Sequence, residues 1–313
     1  MTAETRYLSM GMGGRIYCVA GGIIGVYLGV SSLLAGRFTT TTRVAITGTP
    51  DTVGLLFQEV NFLSSIDRKN ISGWVIPAQS DWNSIQRNSP WVVMVHGDST
   101  NRADVAIGAL EIMRDLAALG YSILAFDLRG CGESGDSSGS SGLFEQRDLL
   151  GALDYLGRRG VNYQNIGVLG FSLGGAVALM SCAIPGRVAA VVADGSFADL
   201  QMMRGLKADR GRWLLSFLSP GIRLMGRILH GIDVAAISPA RAVMRSRTPT
   251  LLIHGDRDTI IPVSHARLIA KAGVHYTPSL WIVPGAGHVQ AYNKHPMEYT
   301  SRVSAFFRAN LST

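Results

Sequence analysis

From residue 57 onward the apolar positions fall into short continuous runs that alternate with longer stretches of helical period. Runs at 57–63 and 71–76, joined by Asp67-Arg68-Lys69-Asn70, predict an antiparallel hairpin. The run 91–95 ends in His96-Gly97 and reads as a buried strand, and 101–119 has helical periodicity stopped by Gly120. Strands at 121–126, 166–169, 188–193, 250–253 and 280–283 then alternate with helices at 143–156, 173–183, 264–272 and 298–309. This predicts an α/β fold over residues 43–310: a mostly parallel sheet of the eight-stranded type with helices on both faces. Functional residues of such sheets collect at the carboxyl ends of the strands. The alternation is interrupted over about 197–247, where apolar stretches at 213–218 and 222–229 predict a helical cap insertion.

Residues 16–36 carry no charge and lie between Arg15 and Arg37. As a helix this segment would span roughly 30 Å, about the thickness of a bilayer's hydrocarbon core. A transmembrane anchor is expected here, behind a tail of residues 1–15. A cleaved signal peptide is the rival, although no A-x-A-like site follows the run. Gly21, Gly25 and Gly29 recur every four residues, a stripe through which two such helices could pack as a homodimer. The bland alternative is that glycine is common in membrane helices. Arg6 and Arg15 before the segment balance Arg37 and Arg43 after it, so the charge bias hardly sets orientation. A single-pass membrane protein with an extracytoplasmic catalytic domain is the preferred reading.

A chain of 313 residues, 47% hydrophobic and 16% charged, is long enough for a full core and too apolar for disorder. Its net charge of +7 is local: residues 200–250 hold nine Lys/Arg against two acids, and the rest of the chain is neutral on balance. Within the cap, Arg212, Arg223 and Arg227 lie beside Trp213, Leu214, Leu215, Phe217 and Leu218. Three readings of this pattern stand open: a lid with solvated arginines, a surface for anionic lipid, and a receptor for an acidic substrate. No aromatic-rich nucleic-acid module accompanies the charge, so nucleic acid is excluded as a partner. Three cysteines, Cys18, Cys131 and Cys182, cannot build a disulfide framework, and none lies in a spacing that holds zinc. No metal or cofactor is expected.

Gly170-Phe171-Ser172-Leu173-Gly174 follows a strand and precedes an apolar helix. In that setting G-x-S-x-G describes a sharp strand-to-helix turn that exposes the serine at a helix N-terminus. The alternative, a structural glycine-rich turn, does not need the serine. Of seven histidines, His288 lies in the glycine-rich loop after the last strand, where it could serve as the base. His96 and His254 precede glycines at strand ends and read as loop formers; the others fall in helical or cap segments. The acid should follow the strand 250–253, and Asp258 is preferred to Asp256, which reads as a turn former or a partner of Arg257. Two backbone donors for an oxyanion are expected at Leu173 and Asp98. Gly130-x-Gly132-x-x-Gly135 matches a dinucleotide fingerprint, but a Ser/Gly-rich loop follows it instead of a helix.

Over residues 43–310 the chain resembles the α/β-hydrolases. The likeness rests on His96-Gly97, the Ser172 elbow, the Asp258 and His288 loops, and Asp127-Leu128-Arg129-Gly130-Cys131-Gly132-Glu133-Ser134. The last block is similar to the D-x-R-G-x-G-x-S turn of that superfamily, with Cys131 where His, Tyr or Phe is more usual. Around 191–200 and the cap it is similar to lid-bearing bacterial hydrolases of the serine aminopeptidase-like or prolyl-oligopeptidase-like kind. The resemblance implies an ester, thioester or amide hydrolase without a cofactor. The expected function is therefore a membrane-anchored serine hydrolase with a Ser172–Asp258–His288 triad, acting on a small-molecule or lipid-like acyl ester or thioester. A serine peptidase and a non-catalytic binding protein on the same fold are the alternatives.

Overall fold

Strands that are buried on both faces need apolar side chains at every position, and this chain supplies them at the sheet centre. In the computed structural model, which describes residues 12–36, 39–85, 89–203 and 212–312, eight strands form one sheet. They are β1 (Gln58–Leu63), β2 (Asn70–Ile76), β3 (Trp91–Val95), β4 (Ser122–Phe126), β5 (Ile166–Phe171), β6 (Ala190–Asp194), β7 (Thr250–Gly255) and β8 (Ser279–Val283). Their order is β1-β2-β4-β3-β5-β6-β7-β8. The hairpin β1–β2 is antiparallel, with Leu63 opposite Asn70, and β2 runs antiparallel to β4. All further pairings are parallel.

The period of two along β3 sends Val92 and Met94 to one core and Val93 and Val95 to the other. Ten helices accompany the sheet among the described residues: α1 (Met12–Gly36), α2 (Ala109–Ala118), α3 (Glu145–Arg158), α4 (Leu173–Ser181), α5 (Leu200–Met203), α6 (Arg212–His230), α7 (Pro239–Arg245), α8 (Ser264–Ala272), α9 (Ala291–Lys294) and α10 (Pro296–Asn310). Ile112, Met113 and Leu116 of α2 and Tyr299, Val303 and Phe307 of α10 fill the first core. Leu149, Leu153 and Leu156 of α3, Val177 of α4, Val243 of α7 and Ile269 of α8 fill the second. The helix read over 101–119 starts later than its periodicity suggests. Gly108, at φ 70°, breaks the path, and Asp104 caps a separate short turn over Val105–Ile107.

The loop after β4 is fixed by buried ions. Asp127 accepts hydrogen bonds from the Arg102 and Glu133 backbone N–H groups, both at 2.8 Å. A Cβ at Gly132 would run into that carboxylate, which accounts for the glycine. Ser134 Oγ donates to the Asp127 carbonyl at 2.6 Å and accepts the Ser72 N–H at 3.0 Å. Two residues along, the buried Arg129 guanidinium meets Asp148 at 2.7 Å and Asp67 at 2.6 Å. Burial pushes Asp148 up to about 6 despite that partner. Asp67 is held well below the usual carboxylate range: burial opposes its charge, and bonds from Arg129, Ser64 and Arg147 outweigh it.

The chain divides into two units, one of residues 39–207 with 235–313 and one of residues 1–38 with 208–234. In the second, α1 lies on α6. Ala35 packs with Leu218 and Ile222, while the Tyr27 hydroxyl donates to the Phe217 carbonyl at 3.1 Å and accepts the Gly221 N–H at 3.0 Å. Ile23, Ile24, Val26 and Leu33 on α1 are exposed.

This corrects the expected anchor over 16–36 and, with it, the single-pass membrane localisation. Among the described residues no helix is long and apolar enough to cross a membrane. The apolar segment has a helix of its own chain as neighbour on one side. The expected homodimer through Gly21, Gly25 and Gly29 is corrected as well. The packed side of α1 is that of Tyr27, Ser31 and Ala35, and a Cβ at any of the three glycines would meet nothing within 4 Å. The tail up to residue 11, Arg37, and Arg204, Lys207 and Arg210 of the expected cap lie outside the described residues, as do the side chains of residues 212–216.

Removing one partner of a buried ion pair leaves the other charged and unpaired. Arg129→Ala is therefore expected to lower stability by about 3–5 kcal/mol. Urea unfolding of the two proteins measures this, and a loss under about 1 kcal/mol would mean the cluster does not anchor the loop.

Candidate active site

Ser172 stands between the end of β5 and the start of α4 at φ 52° and ψ −113°, a backbone conformation costly for any residue but glycine. It is held there from both sides. Its N–H donates to the Asp194 carbonyl at 2.8 Å, and its carbonyl accepts the Ala176 N–H at 3.1 Å. The turn is so tight that a Cβ at Gly170 would strike the Gly174 carbonyl, and one at Gly174 would strike the carbonyls of Val95 and His96. Glycine at both places is thus a packing requirement of this corner.

The loops after β7 and β8 meet above that corner. A Cβ at Gly255 would overlap the Ala286 carbonyl, so the glycine lets the two loops touch. Asp256 accepts the Gly285 N–H at 2.7 Å, and Arg257 N–H donates to Ala286 O at 3.0 Å. Asp256 is therefore a brace between loops, a role its sequence position did not reveal. Gly195, at φ 65°, lies beneath His288, with its would-be Cβ 3.4 Å from the imidazole Cε1.

The result is a continuous chain of polar contacts. His288 Nε2 lies 2.9 Å from Ser172 Oγ, and its Nδ1 lies 2.7 Å from Asp258 Oδ2. The other oxygen of Asp258 accepts the Ile260 and Ile261 N–H groups at 2.9 and 2.8 Å. Asp258 is held well below the usual carboxylate range. Burial opposes its charge, but hydrogen bonds from His254, His288 and the Ile261 N–H outweigh it. A base in reach of a hydroxyl, oriented by a carboxylate, can accept that hydroxyl's proton.

The other expected residues lie close by. Leu173 is the first residue of α4, where backbone N–H groups have no partner within the helix. A Cβ at Gly97 would sit 3.4 Å from Ser172 Cβ, so the segment leading to Asp98 runs alongside the serine. Asp98 itself is exposed.

The remaining buried histidines have structural partners. His96 Nε2 accepts the Leu128 N–H at 2.9 Å, and His265 Nδ1 accepts the Ala198 N–H at 3.1 Å. Burial, with Asp98 and Asp127 nearby, pushes the Cys131 thiol up to about 12, away from nucleophilic chemistry. Among the described residues no group of three or more His, Cys, Asp or Glu is placed to hold a metal ion.

The lipid-like acyl substrate is corrected here. A cavity of about 560 Å³ is polar, lined by Thr41, Arg43, Asp136 and Ser137 among others. Another of about 260 Å³ is lined by Val75, Trp82, Ile85 and Trp91. Neither includes Ser172, Asp258 or His288, so these cavities offer no acyl-chain site at the serine.

One residue escaped the sequence reading. Asp194 ends β6 and is 1% exposed; its carboxyl faces the buried Tyr299 hydroxyl, which falls short of strict hydrogen-bond geometry, and has no other side-chain partner. Burial pushes it up to about 7, against the pull of His254 and His288. An acid closing an otherwise apolar run was the available signal.

Three comparisons with known proteins bear on this site. A model described as the α/β-hydrolase fold matches residues 90–223. The uncharacterized protein Rv2307c of Mycobacterium tuberculosis is 30% identical over 225 residues, 71% of this chain and 69% of that protein. The esterase Pf2001 of Pyrococcus furiosus superposes with a TM-score of 0.69 at 26% identity, over 87% of this chain and all of that one. These likenesses are to the superfamily and to an esterase within it; they single out no peptidase-like branch.

Asp194 makes a pH prediction. A carboxyl whose folded value of about 7 exceeds its ordinary 3.8 binds more protons in the folded state between those limits. Stability is then full below the lower value and is lost as pH rises toward the upper, at about 1.4 kcal/mol per unit. Asp194→Asn should flatten this slope. Melting temperatures at pH 5 and pH 8 test it: the wild type should fall more between them than the variant, and parallel shifts would contradict the assignment.

Proposed function

The chain belongs to the α/β-hydrolase family, and from that premise we propose that it is a serine hydrolase cleaving an ester or thioester through an acyl-enzyme. Hydrolase or esterase chemistry in general is what fold and relatives support. The observation that carries the finer reading is the contact chain Ser172 Oγ–His288–Asp258, at 2.9 and 2.7 Å. Likeness to a protein that is itself an esterase adds to it.

In the first half-reaction His288 Nε2 takes the Ser172 proton as Oγ bonds to the carbonyl carbon. Asp258 accepts from Nδ1–H, fixes the tautomer and stabilises the imidazolium. The Leu173 and Asp98 N–H groups receive the charge that develops on the carbonyl oxygen. Collapse breaks the bond to the leaving alcohol or thiol, which takes the proton from His288. In the second half His288 removes a proton from water, water attacks the acyl carbon, and the proton returns to Ser172 Oγ as the acid departs.

A fluorophosphonate probe tests the assignment. The wild type should label on one residue, and Ser172→Ala should abolish labelling and lower ester hydrolysis by roughly 10⁴- to 10⁶-fold. Labelling that survives the substitution sinks the triad. A parallel set of acyl esters, acyl thioesters and aminoacyl amides separates the substrate classes: esters or thioesters should turn over fastest, and a preference for aminoacyl amides would favour a peptidase.

A further inference from the structure

We propose that His254 is a positioning residue for this site: it clamps the Asp258 carboxylate from behind and, when protonated, draws part of its charge away from His288. This rests on the triad reading above.

The clamp is a closed ring of contacts. His254 Nε2 lies 2.7 Å from the Ile261 carbonyl and 3.3 Å from Asp258 Oδ2. Ile261 in turn gives its N–H to Asp258 Oδ1 at 2.8 Å. A carbonyl and an ionised carboxylate only accept, so Nε2 must carry the hydrogen that serves both. The carboxylate is thereby tied at both oxygens: Ile260 and Ile261 hold Oδ1, while the two imidazoles of His254 and His288 share Oδ2. Rotation of the carboxyl group would break several of these bonds at once. The side chains of His254 and Asp258 are fully buried, so water cannot replace a lost partner cheaply.

With Nε2–H fixed, the ring gains a proton only at Nδ1, which is buried without a hydrogen-bond partner. The groups around it are Asp258 from its own loop, Asp194 from the end of β6, His265 from α8 and His288 from the loop after β8. Burial opposes a charge on His254, but hydrogen bonding to Asp258 and Ile261 and the field of Asp258 raise it above the ordinary histidine value. A cation on one side of Asp258 disfavours a second cation on the other. A charged His254 therefore shares the Asp258 carboxylate with His288 instead of leaving it whole to that imidazole.

Profiles of kcat/KM against pH for the full-length chain with p-nitrophenyl acetate test both parts. Rates are expressed per site labelled by fluorophosphonate, so misfolded protein does not count. His254→Gln keeps an amide N–H near the Nε2 position and cannot take up a proton. Its acid limb should move to higher pH by about half a unit or more. His254→Leu removes the donor, and its plateau kcat should fall about tenfold with KM little changed. His254→Gln should recover several-fold of that loss. A His254→Gln profile that overlays the wild type overturns the proposal, as does a His254→Leu protein with wild-type plateau kcat. If His254→Leu does not fold, the His254→Gln profile decides alone. Ser172→Ala separates this from the triad reading. Hydrolysis that persists in Ser172→Ala refutes the triad. An inactive Ser172→Ala beside an unshifted His254→Gln refutes only the role of His254.

Discussion

The site depends on one backbone approach, that of the corner between β5 and α4 to the end of β3. Gly170 and Gly174 bring main chain against main chain, and the carbonyls of Val95 and His96 fill the space where a side chain at 174 would go. Only with that contact does Ser172 adopt φ 52° at the head of α4. The same contact puts the segment leading to Asp98 beside the serine. One packing constraint thus sets both where the serine stands and which loop runs beside it. Its strain is held by the parallel sheet, since the serine N–H is tied to Asp194 on the neighbouring strand.

The second half of the site is built by bringing two loops from β7 and β8 together. Gly255 and Gly195 remove side chains from the two places where these loops would collide with their surroundings. Asp256 and Arg257 then join the loops through the backbone of Gly285 and Ala286. The orientation of His288 follows from this bracing and from Asp258, whose two oxygens take four contacts between them. A residue held by so many buried bonds has little freedom to drift from the serine.

Much of this was legible in the sequence because sheet and site obey local rules. Strands buried on both faces read as continuous apolar runs, so β3 was found with its full bounds and the order of alternation gave the fold. The expected residues Ser172 and Asp258 are both brought to His288, since glycine-flanked strand ends mark where loops converge. What was not legible is non-local. An uncharged helix reads alike whether lipid or another helix is its neighbour, and the contact of Tyr27 with Phe217 spans 190 positions. His254 read as a loop former because its second acceptor, Ile261, is placed by a turn that no pattern of apolar positions describes. Asp194 lies just past the apolar run 188–193, and only burial reveals how unusual its carboxyl is.

In the proposed reaction Ser172 carries the acyl group between the two half-reactions. Peptide mass spectrometry of the chain quenched with acid during turnover of p-nitrophenyl acetate tests this most directly. One added acetyl group is expected, on the peptide that contains Ser172 and at that residue. An acetyl group found on a different residue during productive turnover, with Ser172 unmodified, would contradict it.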